Sequence, residues 1–178
     1  MKALYAGSFD PITNGHLDII KQAANIFDTV AIVVASNPKK ATTGMFSLEK
    51  RQQLIIETCL AAGLDKNTTR GKSHSVWICP GRLIVDFAYQ IEANVLIRGL
   101  RAVSDFDIEF QMVQFNRKIK PGINTVFFMP DERYFYLSSS AVREIFNMGG
   151  DVSEFVPRCV NEAMLKLRST CWCKEQKL

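Results

Sequence analysis

Apolar residues along the chain follow two alternating rhythms. Short runs rich in β-branched residues, at 2–6, 29–35, 75–79, 94–98 and 124–129, have the length and continuity of strands buried on both faces. Between them lie longer stretches of helical period, at 16–27, 47–61, 81–91 and 103–119, and two more follow the last run at 138–148 and 157–167. Strands that alternate with helices are joined by crossovers, so the sheet is expected to be parallel. Ser47 and Ser138 head two of the helical stretches, where a hydroxyl can cap the free amides of a first turn. No repeat or linker interrupts the pattern. Residues 1–168 therefore read as one α/β domain, with a polar C-terminal tail at 169–178. In open parallel sheets, ligands bind beyond the carboxyl ends of the strands. Four segments that leave strands, at 7–16, 36–46, 98–105 and 130–140, carry polar clusters and are predicted to converge along that edge.

Composition narrows the partners. A chain of 178 residues with 47% hydrophobic and 22% charged residues suits one globular core. A net charge of +4 leans toward an anionic ligand, but the basic residues are scattered rather than gathered in a stripe. That distribution favours nucleotides or phosphates over nucleic acid. Cys59, Cys79, Cys159, Cys171 and Cys173 are odd in number and contain no C-x-x-C pair, so reduced thiols are expected rather than a disulfide framework or a zinc site. Asp10 comes too early for a signal-peptide core, and no apolar run approaches the ~20 residues of a membrane span. A cytoplasmic location without membrane association follows as the expectation.

The first polar cluster reads Gly7-Ser8-Phe9-Asp10-Pro11-Ile12-Thr13-Asn14-Gly15-His16. It lacks the G-x-G-x-x-G of dinucleotide folds and the G-x-x-x-x-G-K-[ST] of phosphate loops. Gly7 allows close backbone approach, Ser8 offers a hydroxyl, and His16 stands in a first helical turn, where unpaired N–H groups favour anions. Arg98 and Arg101 follow a buried strand directly and place two permanently charged, bidentate donors at the ligand edge, unless an acid such as Asp105 claims one in an ion pair. Ser138-Ser139-Ser140 opens a helix, so at least one of these hydroxyls is expected to serve as a plain cap.

Thr13-Asn14-Gly15-His16 matches the T/H-x-G-H motif of the nucleotidyltransferase superfamily in its strand–loop–helix setting. The whole run from Gly7 to His16 resembles the N-terminal signature of bacterial-type phosphopantetheine adenylyltransferases. The likeness continues through Asn37-Pro38-Lys39-Lys40, Met45-Phe46-Ser47-Leu48-Glu49-Lys50-Arg51, the stretch from Leu96 through Arg98-Gly99-Leu100-Arg101 to Phe106, and Leu137-Ser138-Ser139-Ser140. The resemblance implies a single-domain, Rossmann-like nucleotidyltransferase fold. It implies transfer of AMP from ATP to phosphopantetheine, with Mg2+ as cofactor and a homohexameric assembly. By the same resemblance, His16, Ser8 and Lys39 act on the transferring phosphate. Ser8, Phe9, His16, Gly99, Leu100, Arg101, Glu109 and the turn Tyr134-Phe135-Tyr136-Leu137-Ser138-Ser139-Ser140 contact ATP, whereas Ser8, Lys39, Ile84 and Arg98 contact the acceptor. No protein ligand set for a metal is implied, and His74 receives no role. The shared His16 motif leaves room for a sister enzyme acting on nicotinamide mononucleotide or glycerol phosphate, and for a non-catalytic nucleotide sensor; the Arg98 and Ser138 runs weigh against the first.

Overall fold

The computed structural model describes residues 1–36, 44–64, 73–101 and 103–175, with side chains described at 1–35, 44–64, 74–79, 81–101 and 106–169. Five strands, β1 (Lys2–Gly7), β2 (Thr29–Ser36), β3 (Ser73–Pro80), β4 (Val95–Gly99) and β5 (Asn124–Phe128), form one sheet. Their order is β3-β2-β1-β4-β5, and all neighbours run parallel. The helices are α1 (Asn14–Ile26), α2 (Leu48–Ala61), α3 (Ile84–Gln90), α4 (Val103–Ile119), α5 (Ser139–Asn147) and α6 (Arg158–Glu175). This is the α/β architecture expected from the apolar rhythm.

The central strands β1 and β2 are mostly apolar because both faces of the sheet are covered there. Along β1, Ala3 and Tyr5 join the core beneath α1, α2, α5 and α6, while Leu4 and Ala6 join the core beneath α3. Successive residues of β2 divide the same way, with Val30, Ile32 and Val34 on one face and Val33 on the other. A period of two applied to a mostly apolar strand thus feeds two cores.

Three helix limits differ from the sequence reading by two residues or more. α1 begins two residues earlier, at Asn14, because Thr13 caps it. α3 begins later, at Ile84, since Gly81 has φ +65° and turns the chain out of β3. α6 does not stop near Leu167 but continues to Glu175, within the segment read as a tail. Arg168 accounts for part of that extension: its Nη2 donates to Phe146 O at 2.7 Å and Gly150 O at 3.3 Å, and its guanidinium lies 4.1 Å from the Phe146 ring centroid. α6 thereby satisfies carbonyls at the end of α5.

β1 sits where the sheet changes direction. Connections through α1 and α2 lay β2 and β3 on one side of it, and the chain then crosses back to place β4 and β5 on the other. The crevice beyond the carboxyl ends of β1 and β4 is a topological switch point, the usual ligand position in such sheets.

Candidate active site

A cleft of about 240 Å³ opens at that switch point. Its floor comes from Tyr5, Ala6, Gly7 and Ser8 at the end of β1, together with Arg98 and Gly99 at the end of β4. The starts of α1 and α5 contribute Thr13, Gly15, His16 and Ser138, Ser139 and Ser140, and Arg101, Glu109 and Leu137 complete the wall. Three of the four segments expected to converge therefore do so. The fourth contains Lys39, which lies outside the described residues with the rest of 37–43.

The loop between β1 and α1 is fixed by side chains that bind its carbonyls from behind. Arg51 Nη1 donates to Ser8 O at 3.3 Å, Ser139 Oγ to Pro11 O at 2.8 Å, and Arg143 Nη1 to Asp10 O. The carboxylate of Asp10, a residue only 4% exposed, accepts the backbone N–H groups of Met45 and Phe46 at 2.9 and 3.0 Å and lies 3.2 Å from Arg51 Nε. Phe9 turns the loop at φ +44° and inserts its ring into the core, edge-on to Tyr5 and His16 with centroids 5.4 and 5.1 Å away. A Cβ at Gly7 would stand 3.1 Å from that ring, so the glycine makes room for the turn.

His16 occupies the third position of α1 in a capping box. Thr13 Oγ1 accepts the His16 backbone N–H, and the Thr13 backbone N–H donates to His16 Nδ1 at 3.1 Å. Because Nδ1 is an acceptor, the proton of the neutral ring resides on Nε2. Burial, reinforced by the positive charge of Arg101, lowers the His16 pKa to about 4. The ring is therefore a neutral, oriented N–H donor across the physiological range.

Arg98 grips Glu109 in a fork, Nε donating to Oε2 at 2.6 Å and Nη2 to Oε1, while Nη1 reaches Ala6 O at 3.3 Å. The acid that pairs with Arg98 is thus on α4, and the Asp105 side chain lies outside the described ones. Arg101 Nη1 donates to Leu137 O at 3.0 Å, tying the end of β4 to the turn before α5. The three serines divide their work: Ser138 caps α5 by accepting Ala141 N–H at 3.1 Å, Ser139 clamps Pro11, and Ser140 is exposed at the cleft.

Residues 4–145 match the cytidylyltransferase-like family. The chain is 44% identical over 163 residues to a phosphopantetheine adenylyltransferase of Methylacidiphilum infernorum, covering 92% of this chain and 88% of that protein. It is 47% identical over 163 residues to the phosphopantetheine adenylyltransferase of Alkaliphilus metalliredigens, covering 92% and 96% respectively. The chain belongs to the phosphopantetheine adenylyltransferase family. The fold is shared with more distant nucleotidyltransferases: a bifunctional NMN adenylyltransferase/ADP ribose pyrophosphatase from Francisella tularensis superposes with a TM-score of 0.64 at 18% identity, over 94% of this chain and 49% of that one.

Against this family frame, the residues expected from sequence fall into three groups. Ser8, His16, Arg98, Gly99, Arg101, Glu109, Leu137, Ser138, Ser139 and Ser140 line the cleft together. Ile84 lies apart from it, in a smaller apolar cavity of about 60 Å³ with Leu4, Leu96, Met112, Val113 and Asn116; this cavity meets the cleft at Arg98 and Glu109. Phe9 is 1% exposed and holds the loop from inside, while Tyr134 packs over Gly15 and Tyr136 is 92% exposed; neither they nor Leu100 and Phe135 line the cleft. Sequence reading missed Tyr5, Asp10, Arg51 and Arg143. Asp10 stands between Phe9 and Pro11-Ile12, where a lone acid signals a buried partner, whereas Arg51 follows Glu49 and Lys50 and carries no such mark. Nothing marked Arg143. Cys59, Cys79 and Cys159 are free thiols away from the cleft. Among the described residues, no helix is long and apolar enough to cross a membrane.

Proposed function

We propose that the chain transfers the adenylyl group of ATP to the phosphate of phosphopantetheine, releasing pyrophosphate and dephospho-coenzyme A. The observation that supports this most is the meeting, in one cleft of a phosphopantetheine adenylyltransferase family member, of a neutral His16 donor with the Arg98, Arg101 and α5 sites for anions.

A phosphate monoester has a second pKa near 6, so close to neutral pH the acceptor is already a dianionic nucleophile. No general base is needed. Catalysis then consists of aligning the attacking oxygen with the α-phosphorus, opposite pyrophosphate, and of meeting the charge that develops. His16 and Ser8 both line the cleft, and His16 Nε2–H, the Ser8 hydroxyl and Lys39 are proposed to serve that purpose. Arg98 is proposed to receive the acceptor's phosphate by exchanging part of its fork with Glu109. Arg101, Glu109 and the start of α5 receive ATP, with the free amides of α5 directed at its outer phosphates. The apolar cavity beside Ile84 suits the uncharged arm of phosphopantetheine, because it begins where the Arg98 guanidinium ends.

Mg2+ is proposed to enter with ATP. Among the described residues, no group of three or more His, Cys, Asp or Glu could hold a metal ion, and Glu109, the carboxylate in the cleft, is engaged by Arg98. The ion would therefore be carried by phosphate oxygens and water, where it neutralises charge on the nucleotide. The assembly is proposed to be a homohexamer, supported by the exposed apolar side chains of α4, and the location cytoplasmic. Nucleic acid is no part of the proposed reaction.

The reaction exchanges one phosphoanhydride for another, so it can be run backwards. Purified protein given dephospho-coenzyme A, pyrophosphate and Mg2+ should form ATP and phosphopantetheine without an adenylyl-enzyme intermediate. NAD with pyrophosphate should give little product. ATP from NAD, with dephospho-coenzyme A inert, would replace this reading with that of a sister enzyme.

A further inference from the structure

Tyr5 lies at the bottom of the cleft and takes no part in the mechanism above. Its side chain is held on β1 by the edge-on ring of Phe9 and by His16, whose ring centroid is 6.5 Å away. Only 5% of the residue is exposed, and that exposure is toward the cleft it lines. The hydroxyl points at the end of β4, since a Cβ built on Gly99 would stand 3.9 Å from Tyr5 Oη. There it lies among Arg98, Arg101 and Glu109, which all act electrostatically on the phenol. Among the described residues, Oη makes no hydrogen bond.

The hydroxyl is not sealed from solvent but opens on the cleft, where it keeps a free donor that a phenyl ring of the same size would lack. The hydroxyl is therefore available to something that enters the cleft. Its surroundings define the chemistry of that partner. Burial raises the phenol's pKa far above neutrality, so it stays protonated and acts as a donor. Arg98 is the charge that acts on it most strongly, and Arg98 also joins the cleft to the apolar cavity beside Ile84.

We propose that Tyr5 is a further substrate-binding residue, whose Oη–H donates to a non-bridging oxygen of the acceptor's phosphate beside Arg98. This assignment rests on the adenylyl-transfer reading. The phenol adds a neutral donor to a permanently charged one, so it orients the phosphate without adding to the positive charge of the cleft.

The test is Tyr5→Phe in the full-length protein with ATP, Mg2+ and phosphopantetheine, compared with the parent. A hydrogen bond to a charged group corresponds to roughly a tenfold effect or more. The variant should raise KM for phosphopantetheine about tenfold, leave KM for ATP within twofold, and bind dephosphorylated pantetheine as the parent does. Its melting temperature should be unchanged or higher, because no internal hydrogen bond is lost; this separates a binding role from a structural one. A KM for phosphopantetheine within twofold of the parent's would overturn the proposal, as would a rise confined to ATP or an equal loss of pantetheine binding. If the parent itself makes no dephospho-coenzyme A, the functional reading fails and Tyr5's assignment goes with it.

Discussion

At the scale of single residues, the cleft works through groups whose state is set before any ligand arrives. His16 is neutral because its ring is buried near Arg101, and it presents Nε2–H because Nδ1 is occupied by the Thr13 amide. A donor of this kind acts mainly on charge that develops in the transition state. His16→Ala should therefore leave ATP binding within a few-fold and lower turnover by ~10²-fold or more; turnover within threefold of the parent would remove His16 from the catalytic group. The same burial has a pH signature. An unfolded histidine protonates as pH falls through 6.5, whereas folded His16 resists until about 4, so its contribution is complete above 6.5 and is lost as pH falls through that window. Denaturant melts at pH 7 and pH 5 should show the parent losing about 2 kcal/mol more than His16→Asn. Arg98 differs in kind, since it carries its charge always and shares it with Glu109. Arg98→Ala should raise KM for phosphopantetheine tenfold or more while dephosphorylated pantetheine binds almost alike to both forms; weakening of ATP alone would reverse the assignments of Arg98 and Arg101.

At the scale of elements, the loop between β1 and α1 owes its shape to side chains on α2 and α5. Asp10 gathers α2 through Arg51, α5 through Arg143 and the chain entering α2 through the amides of Met45 and Phe46. Both Asp10 and Arg51 are nearly excluded from solvent, with side-chain exposures of 6% and 7%. Removing one partner from such a pair strands the other without water or counter-charge. Asp10→Ala should therefore lower folding stability by about 3–5 kcal/mol, as read from urea denaturation. Loss below 1 kcal/mol would show that the carboxylate is dispensable for the loop.

At the scale of the whole molecule, α4 carries exposed apolar side chains that do not line the cleft. Ile108, Phe115 and Ile119 on α4 are 67%, 60% and 46% exposed, and Phe106 stacks on Phe110 with centroids 5.6 Å apart. Exposed apolar side chains gathered on one helix mark an association surface more often than a free one. The double variant Ile108→Glu, Phe115→Glu should shift the protein toward monomer in sedimentation velocity, while melting of the subunit stays cooperative. An unchanged sedimentation coefficient would place the assembly interface elsewhere.

What the sequence determined by itself was local. Strand runs, capping serines and the Gly7–His16 loop each declare themselves within a dozen residues, because apolar period, cap chemistry and glycine placement act over that range. All five strands lie within two residues of where the apolar rhythm put them, and ten of the residues expected at the site line one cleft. The tertiary structure decided what depends on neighbours distant in the chain. That Glu109 meets Arg98 follows from how α4 returns over β4. That Phe9 points inward, edge-on to Tyr5 and His16, follows from a turn at positive φ in a loop held by Arg51, Ser139 and Arg143. That α6 continues past Leu167 follows from carbonyls which α5 leaves open to Arg168. Each is a contact spanning ten or more positions, between groups whose chemistry the sequence shows but whose meeting only the packed sheet brings about.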